Sequence, residues 1–318
     1  MDRVIERCAG LDVHKKTIAA CIRVPGKGKR RRRETRTFTT TTRGLLQLRD
    51  WLAEVGVTVV GMESTGSYWK PVYYLLEDEF ECWLLNARHL KNVPGRKTDV
   101  KDAEWIAELV EHGLVRPSFV PPRPIRELRD LTRYRKTVIQ ERTREVQRLE
   151  KLLEGAGIKL SSVASDILGV SGRAMLAALV AGERDPQVLA DLAKRRLRSK
   201  IPQLQEALEG RFSSHHAVLV AQMLARIDHC DEVVERLCAE IDRRMERFRD
   251  LIELLITIPG VQLRTAEVII AETGGDMARF PSAEHLASWA GMCPGNNESA
   301  GKHRAGPPAR DQSGCAAR

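Results

Sequence analysis

The sequence predicts an α/β domain at the N-terminus, followed by a long helical segment and a mainly α C-terminal domain. Three observations carry this. Over the first 115 residues, short β-rich runs alternate with amphipathic helical stretches. A proline-rich stretch, Pro117–Pro124 (PSFVPPRP), then marks a rigid linker. Beyond it, two long apolar stripes recur at steps of three and four residues, the helical period. The length of 318 residues, about twice a typical domain, agrees with more than one folding unit. The predicted regions are 1–115, 116–250 and 251–318.

Val4 to Val13 and Thr17 to Val24 are short β-rich runs separated by His14-Lys15-Lys16. A Thr-rich run, Thr35 to Thr41, follows, so the three read as a meander with a basic stretch in its second turn. Arg43 to Glu54 carries Leu45, Leu46, Leu48, Trp51 and Leu52 at helical spacing. Val57 to Met62 (VTVVGM) is an apolar run expected as a buried strand. Ser67 to Glu79 is expected as a helix, Cys82 to Leu85 as a strand and Asp99 to His112 as a helix. The order is β-β-β-α-β-α-β-α.

After the linker, Leu128, Leu131, Tyr134, Val138, Val146, Leu149 and Leu153 form one stripe. Met223, Ile227, Cys230, Val234, Leu237, Ile241, Met245, Phe248, Ile252 and Leu255 form a better one. Two such helices suggest an antiparallel coiled-coil arm or a dimer contact. Residues 155–215 between them read as a mostly helical insertion. The last region opens with Ile256–Val261 (ITIPGV), a helix running into a Pro259-Gly260 turn, with a second helix from Thr265 to Glu272. This pattern resembles a helix-hairpin-helix, whose turn offers backbone N–H groups to a phosphate, although an ordinary helical hairpin reads similarly.

Composition narrows the partners. The chain carries 52 Lys and Arg against 43 Asp and Glu, a net charge of +9. Residues 27–36 carry net +6, residues 116–151 net +6 and residues 191–200 net +4, so these segments hold +16 and the remainder −7. Clustered cations of this kind suit a chain that tracks phosphates, with solvated surface faces as the plainer reading. Lys27, Lys29, Arg30, Arg31, Arg32, Arg33 and Lys97 are the nucleic-acid-contact candidates in the first domain, with Gly260, Lys302 and Arg304 in the last. No apolar run nears the ~18 residues of a membrane span. Seven Cys with no CxxC pair suggest reduced thiols in a cytoplasm. Membrane protein, disulfide scaffold and zinc finger are therefore disfavoured.

Four carboxylates stand out. Asp12 lies inside the first strand among apolar residues, where Asp is disfavoured. Glu63 directly follows the buried strand VTVVGM, and in this strand order the first and fourth strands lie side by side. Asp99 and Asp102 are three apart near a helix start, on one face. Singly, each has a plain explanation as a cap or first-turn acid. Gathered together they would repel one another unless divalent cations neutralise them, and hard oxygen donors suit Mg²⁺ or Mn²⁺. Two such ions serve in-line phosphoryl displacement.

The element order and carboxylate positions resemble the ribonuclease-H-like fold of nucleases, resolvases and transposases. GLDVHKKTIAACI, GMESTGSYWKPVYYLLE and NARHLKNVPGRKTDVKDAEWIAEL are similar to three signature blocks of the DEDD transposases of the insertion-sequence one-ten family. The resemblance spans residues 5–304 and implies a metal-binding acidic tetrad at Asp12, Glu63, Asp99 and Asp102. It also implies a C-terminal transposase domain with a nucleophilic serine at Ser299, in GMCPGNNESAGKHRAG. From its own surroundings Ser299 is only suggestive, a loop hydroxyl near Lys302, His303 and Arg304 in sequence. The implied protein is a bacterial, cytoplasmic, nucleoid-associated DNA transposase or recombinase. It acts on double-stranded DNA as a homodimer or tetramer with a guide RNA. A structure-selective Mg²⁺-dependent nuclease and a non-catalytic nucleic-acid-binding remnant stay open. The ending GPPARDQSGCAAR departs from the family's final helix and reads as a frameshift or truncation, with impaired strand exchange the expected consequence.

Overall fold

The structure is a computed structural model that describes residues 4–26, 30–64, 66–86, 102–292, 298–299 and 302–303. The described chain forms two compact units. One holds the residues up to Pro121 with those from Ala278 onward, and the other holds Pro122–Met277.

The first unit is built on β1 (Cys8–Val13), β2 (Thr17–Pro25), β3 (Arg31–Thr39), α1 (Thr42–Val55), β4 (Val59–Glu63), α2 (Trp69–Leu76), β5 (Glu81–Leu85) and α3 (Asp102–Glu111). The expected element order holds among the described residues. The five strands pair in the order β3-β2-β1-β4-β5, with β1 antiparallel to β2 and parallel to β4. Local chemistry starts and stops α1: the Thr41 hydroxyl accepts from Gly44 N–H, and Gly56 ends the helix at φ 72°. Its Leu45, Leu48, Trp51 and Leu52 are buried.

Side-chain alternation along a strand sorts the two faces of the sheet. Ala9, Leu11, Ile18, Ile22, Val60 and Met62 join Leu48, Trp51, Leu52 and Val72 of α1 and α2 in one core cluster. On the opposite face Cys8, Val59 and Leu85 pack with Ile106, Leu109 and Val110 of α3, and Cys21 with Ala103 and Ala107. Both faces being covered explains why β1 and β4 are nearly continuous apolar runs.

Two glycines set the height of α3 above the sheet. Gly10 and Gly61 are paired across β1 and β4. A Cβ on Gly10 would lie 2.3 Å from Ala107 N and 2.4 Å from Ala103 O, and one on Gly61 would lie 2.5 Å from Val110 Cγ2. The far end of α3 is fixed by charge. Glu111, buried to 1%, pairs with Arg23 of β2 and with Arg31 of β3, the latter at 2.6 Å.

That ion cluster corrects the expected place of the basic run. Arg31, Arg32 and Arg33 lie within β3, paired in register with Pro25, Val24 and Arg23 of β2, and not in the turn. A buried carboxylate from another element gives Arg31 a partner, so an arginine-rich segment becomes strand where propensity alone reads turn. The third strand accordingly starts before Thr35 and ends at Thr39.

The second unit is helical. Two long helices, α4 (Arg123–Gly155) and α9 (Ser214–Met245), flank the shorter α5 (Leu160–Val163), α6 (Val170–Ala181), α7 (Pro186–Asp191) and α8 (Ile201–Leu208). Ion pairs between Arg142 and Asp231 and between Glu127 and Arg244 show that α4 and α9 run antiparallel. The shorter helices share a core with the facing ends of the pair, including Leu149, Leu153, Leu176, Leu204, Phe212 and Ile227. The expected second helix breaks at Glu246–Phe248 in a 3₁₀ turn before α10 (Arg249–Ile256). The break lets Leu251, Ile252 and Leu255 pack with Ile270 and Ala271 of α11 (Leu263–Thr273). Buried Glu267 of α11 ties to Arg135 of α4 at 2.7 Å. Past this unit come α12 (Ala283–Trp289), β6 (Glu298–Ser299) and β7 (Lys302–His303). The proposed departure at the C-terminal end lies outside the described residues.

Two substitutions test this account. Gly10→Ala should destabilise by about 3 kcal/mol, because the methyl meets backbone that has no rotamer to yield. Glu111→Gln should cost a similar amount, about 3 kcal/mol, by leaving two arginines facing a neutral amide. Urea denaturation of each variant against the parent chain reads both; a loss below 1 kcal/mol in either contradicts its assignment.

Candidate active site

Asp12 is the penultimate residue of β1 and Glu63 the last of β4. Leu11 and Met62 are paired, so Asp12 and Glu63 are the next residues along two neighbouring parallel strands. Both are two residues beyond the Gly10–Gly61 pair, which places them on the α3 face of the sheet. The Gly10 contact with Ala103 and Ala107 holds the first half of α3 against β1, and Asp102 is its first residue. Near its other end, the backbone N–H groups of Val4 and Ile5 donate to Glu111 O. The helix therefore runs antiparallel to β1, with Asp102 at the Asp12 end. Asp102 and Glu104 both occupy the first turn, where the helix dipole favours negative charge.

Electrostatics register the convergence. The Asp12 carboxyl is held above the usual carboxylate range, first by burial and then by the negative charges of Asp102 and Glu63, with the His14 imidazole opposing. His14 Nε2 stands 3.1 Å from Asp12 Oδ2. The sequence reading passed over His14. The signal was present, because a residue two positions from an in-strand Asp shares its side of the chain.

Asp99 and Lys97 lie outside the described residues, as do Lys27, Lys29 and Arg304. Among the described residues no group of three or more His, Cys, Asp or Glu converges closely enough to hold a metal ion. The donors that do approach one another, Asp12, Glu63 and Asp102, are all hard carboxylates. A divalent cation would relieve the repulsion that adds to burial in raising Asp12, so the chemistry of the set fits Mg²⁺ or Mn²⁺.

Of the other sequence candidates, Ser299 and Lys302 are backbone partners in a two-stranded antiparallel ribbon, where an irregular loop was expected. Arg31 is turned into the fold, donating to Glu6 O at 2.6 Å as well as pairing with Glu111. Arg32 pairs with Glu34 at 2.6 Å, while Arg30 and Arg33 are exposed. Gly260 adopts φ 86° in the exposed turn between α10 and α11, and nothing lies within 4 Å of where its Cβ would be. The Val261 N–H is occupied by Ile258 O at 3.0 Å. Cys8, Cys21, Cys82, Cys230 and Cys238 are free thiols, and burial pushes Cys8 up to about 12, which makes it a packing group and not a nucleophile. No helix among the described residues is long and apolar enough to cross a membrane.

The family model for the DEDD transposase of IS110, described as a transposase, matches residues 9–158. A second, described as the transposase of the IS116/IS110/IS902 family, matches residues 252–313. The chain is 31% identical over 217 residues to an uncharacterized 42 kDa protein of insertion element IS900 from Mycobacterium paratuberculosis, which covers 62% of this chain and 53% of that protein. It is 35% identical over 82 residues to an uncharacterized 43.6 kDa protein of insertion element IS110 from Streptomyces coelicolor, covering 26% of this chain and 20% of that protein. The matched part thus spans about half the length of the first relative and less of the second.

Asp12 supplies a test of the geometry. A carboxyl whose folded pKa is raised is easier to fold protonated, so stability falls as pH rises through its range. Asp12→Asn, which keeps the shape and removes the charge, should therefore raise the melting temperature at pH 7. The gap should close as pH falls and the parent carboxyl protonates. A variant that melts lower at pH 7 would show that neither burial nor neighbouring charge disfavours the Asp12 carboxylate.

Proposed function

The chain belongs to the IS110 family of transposases, and from that premise we propose that it cleaves and rejoins double-stranded DNA of a mobile element at the acidic end of β1, β4 and α3. The observation that carries the proposal is the placing of Asp12 and Glu63 side by side on one sheet face, with Asp102 at the head of the helix lying over it. The element order and the β3-β2-β1-β4-β5 sheet support a ribonuclease-H-like reading of the first unit.

In this reading Asp12, Glu63, Asp99 and Asp102 hold divalent Mg²⁺ or Mn²⁺. When bound, the metal supplies Lewis-acid stabilisation of charge on the phosphate oxygens. The protein's part is to keep the carboxylates fixed and close. Strand pairing fixes Asp12 and Glu63, and the glycine contact fixes α3 and with it Asp102. The His14 imidazole, beside Asp12, hydrogen-bonds its carboxylate.

Ser299 takes the nucleophile's role through the family resemblance. Its hydroxyl loses a proton and attacks a DNA phosphorus, forming a phosphoserine ester as the bond to the departing sugar oxygen breaks. That oxygen leaves as a hydroxyl by taking up a proton, and attack of a strand hydroxyl on the ester reverses the chemistry and frees the serine. Ser299 belongs to the same compact unit as Asp12, Glu63 and Asp102, which supports a shared site. A guide RNA and a homodimeric or tetrameric assembly complete the reading, also through the resemblance.

Three variants in a Mg²⁺-dependent DNA cleavage assay test it. Asp12→Asn and Glu63→Gln should each lower cleavage by at least about 100-fold, the scale of removing a group that stabilises a transition-state charge. Ser299→Ala should abolish both cleavage and the covalent protein–DNA product. Cleavage that persists in Ser299→Ala would identify a nuclease with water as nucleophile. A parent chain that binds DNA but cuts nothing would identify a binding remnant.

A further inference from the structure

The second unit carries a strongly basic surface that the acidic site does not use. Residues 195–200, Arg-Arg-Leu-Arg-Ser-Lys, form a 3₁₀ helix between α7 and α8, and Lys194 precedes it. Lys194, Arg195, Arg196, Arg198 and Lys200 are all exposed. Leu197 packs against the core beneath and anchors the segment. None of the five cations has a carboxylate partner among the described residues.

Six other arginines of the unit differ in this respect. Arg142, Arg173, Arg226, Arg243, Arg244 and Arg249 each meet an Asp or Glu. Of the carboxylates near the basic segment, Asp166 turns one oxygen to the N–H of Leu168 at 2.9 Å, and Asp191 is exposed at the end of α7. Where those six arginines are each offset by a nearby acid, here five positive charges in seven residues project together.

Beside them is a cavity of about 360 Å³, lined by Lys194, Arg195, Asp166 and the start of α6 at Gly169–Gly172. Ser171 Oγ accepts the N–H of Lys194 at 2.9 Å and fixes the basic segment to this wall. Arg195 holds φ 53°, the left-handed region, at the cavity edge. The cavity wall thus carries two cations, Lys194 and Arg195, against one acid, Asp166, and is tied to the fold through Ser171.

We propose that Lys194, Arg195, Arg196 and Arg198 form a phosphodiester-binding surface that grips the backbone of a nucleic-acid strand. Size fits the partner. Six residues of 3₁₀ helix rise about 12 Å, and a duplex strand places a phosphate about every 3.4 Å along its axis, so the segment faces about three phosphates. Arginine and lysine side chains meeting phosphate oxygens carry no base specificity, so the surface positions a strand without reading its sequence. It lies on the other unit from the carboxylates and is tested by binding alone, so it stands or falls apart from the cleavage chemistry.

The test uses the full chain with Lys194→Gln, Arg195→Gln, Arg196→Gln and Arg198→Gln combined. The control combines Arg173→Gln, Arg226→Gln, Arg243→Gln and Arg249→Gln, which removes the same charge from paired sites. Affinity is measured against salt for a 30-base-pair duplex DNA and for a 30-base-pair duplex RNA. The surface variant should bind one of them about 10- to 100-fold more weakly, with the slope of log affinity against log salt reduced by about three, while the control changes far less. The nucleic acid showing the larger loss is the natural partner. Unchanged binding by the surface variant, equal losses in both variants, or a parent chain that binds neither duplex overturns the proposal. Acetylation footprinting of the parent chain gives a readout independent of folding: bound nucleic acid should protect Lys194, and full labelling of Lys194 in the complex likewise overturns it.

Discussion

The first unit depends on one close approach, that of α3 to β1 and β4 over Gly10 and Gly61. A side chain at Gly10 would strike helix backbone, and one at Gly61 would strike Val110, so the helix sits lower than any larger residue would permit. Small residues on the helix, Ala103 and Ala107, complete the fit. Lowering the helix has a chemical consequence, because it brings the first residue of α3 toward the ends of the two strands. Asp102 then meets the field of Asp12 and Glu63, which adds to burial in raising the Asp12 carboxyl. Packing that would be ordinary core economy elsewhere here assembles negative charge. The Glu111 cluster with Arg23 and Arg31 works at the other end of the same helix and fixes its rotation by buried ion pairs.

Much of this was legible in the sequence because it rests on periodicity. Apolar runs with both faces covered show plainly at Val59–Met62, and an Asp inside such a run at Asp12 asks for a partner. Strand adjacency followed from the element order, and with it the nearness of Asp12 and Glu63. What escaped depends on contacts distant in sequence. Arg31 reads as a turn or surface cation until Glu111, eighty residues on, supplies its buried partner. The break at Glu246–Phe248 escaped because the apolar stripe continues through it, each side packing on a different neighbour. The glycines Gly10 and Gly61 carry no periodic signal at all; their meaning lies in what a Cβ would strike. The short helices between residues 156 and 212 share a core too divided along the chain for any one stretch to show a stripe.

Charge was legible in amount but not in use. The run at 27–36 is the densest cluster of cations in the sequence, yet within the fold Arg31 is committed to Glu111, while Arg32 and Arg36 both meet Glu34. The run at 191–200 is weaker by count, with net +4, and has no such commitments. Among the described residues, five cations of the second segment have no carboxylate partner, against Arg30 and Arg33 in the first. What matters is the charge left after internal pairing, because a guanidinium already held by a carboxylate must give up that contact before it can meet a phosphate.

The same reasoning joins the two units. In a folded chain, like charges held close without neutralising neighbours cost free energy that packing must offset. The first unit holds its carboxylates together through rigid backbone contact, at the expense of a raised Asp12. The second holds its cations together on a short helix anchored by Leu197 and Ser171. Neither arrangement improves the fold by itself, and each would be relieved by a ligand of opposite sign: in the proposed reading, a divalent cation at the acids and a phosphate backbone at the bases. A nucleic-acid strand processed by phosphoryl transfer demands both, since the strand must be held along its length while charge is neutralised at the one phosphate that reacts.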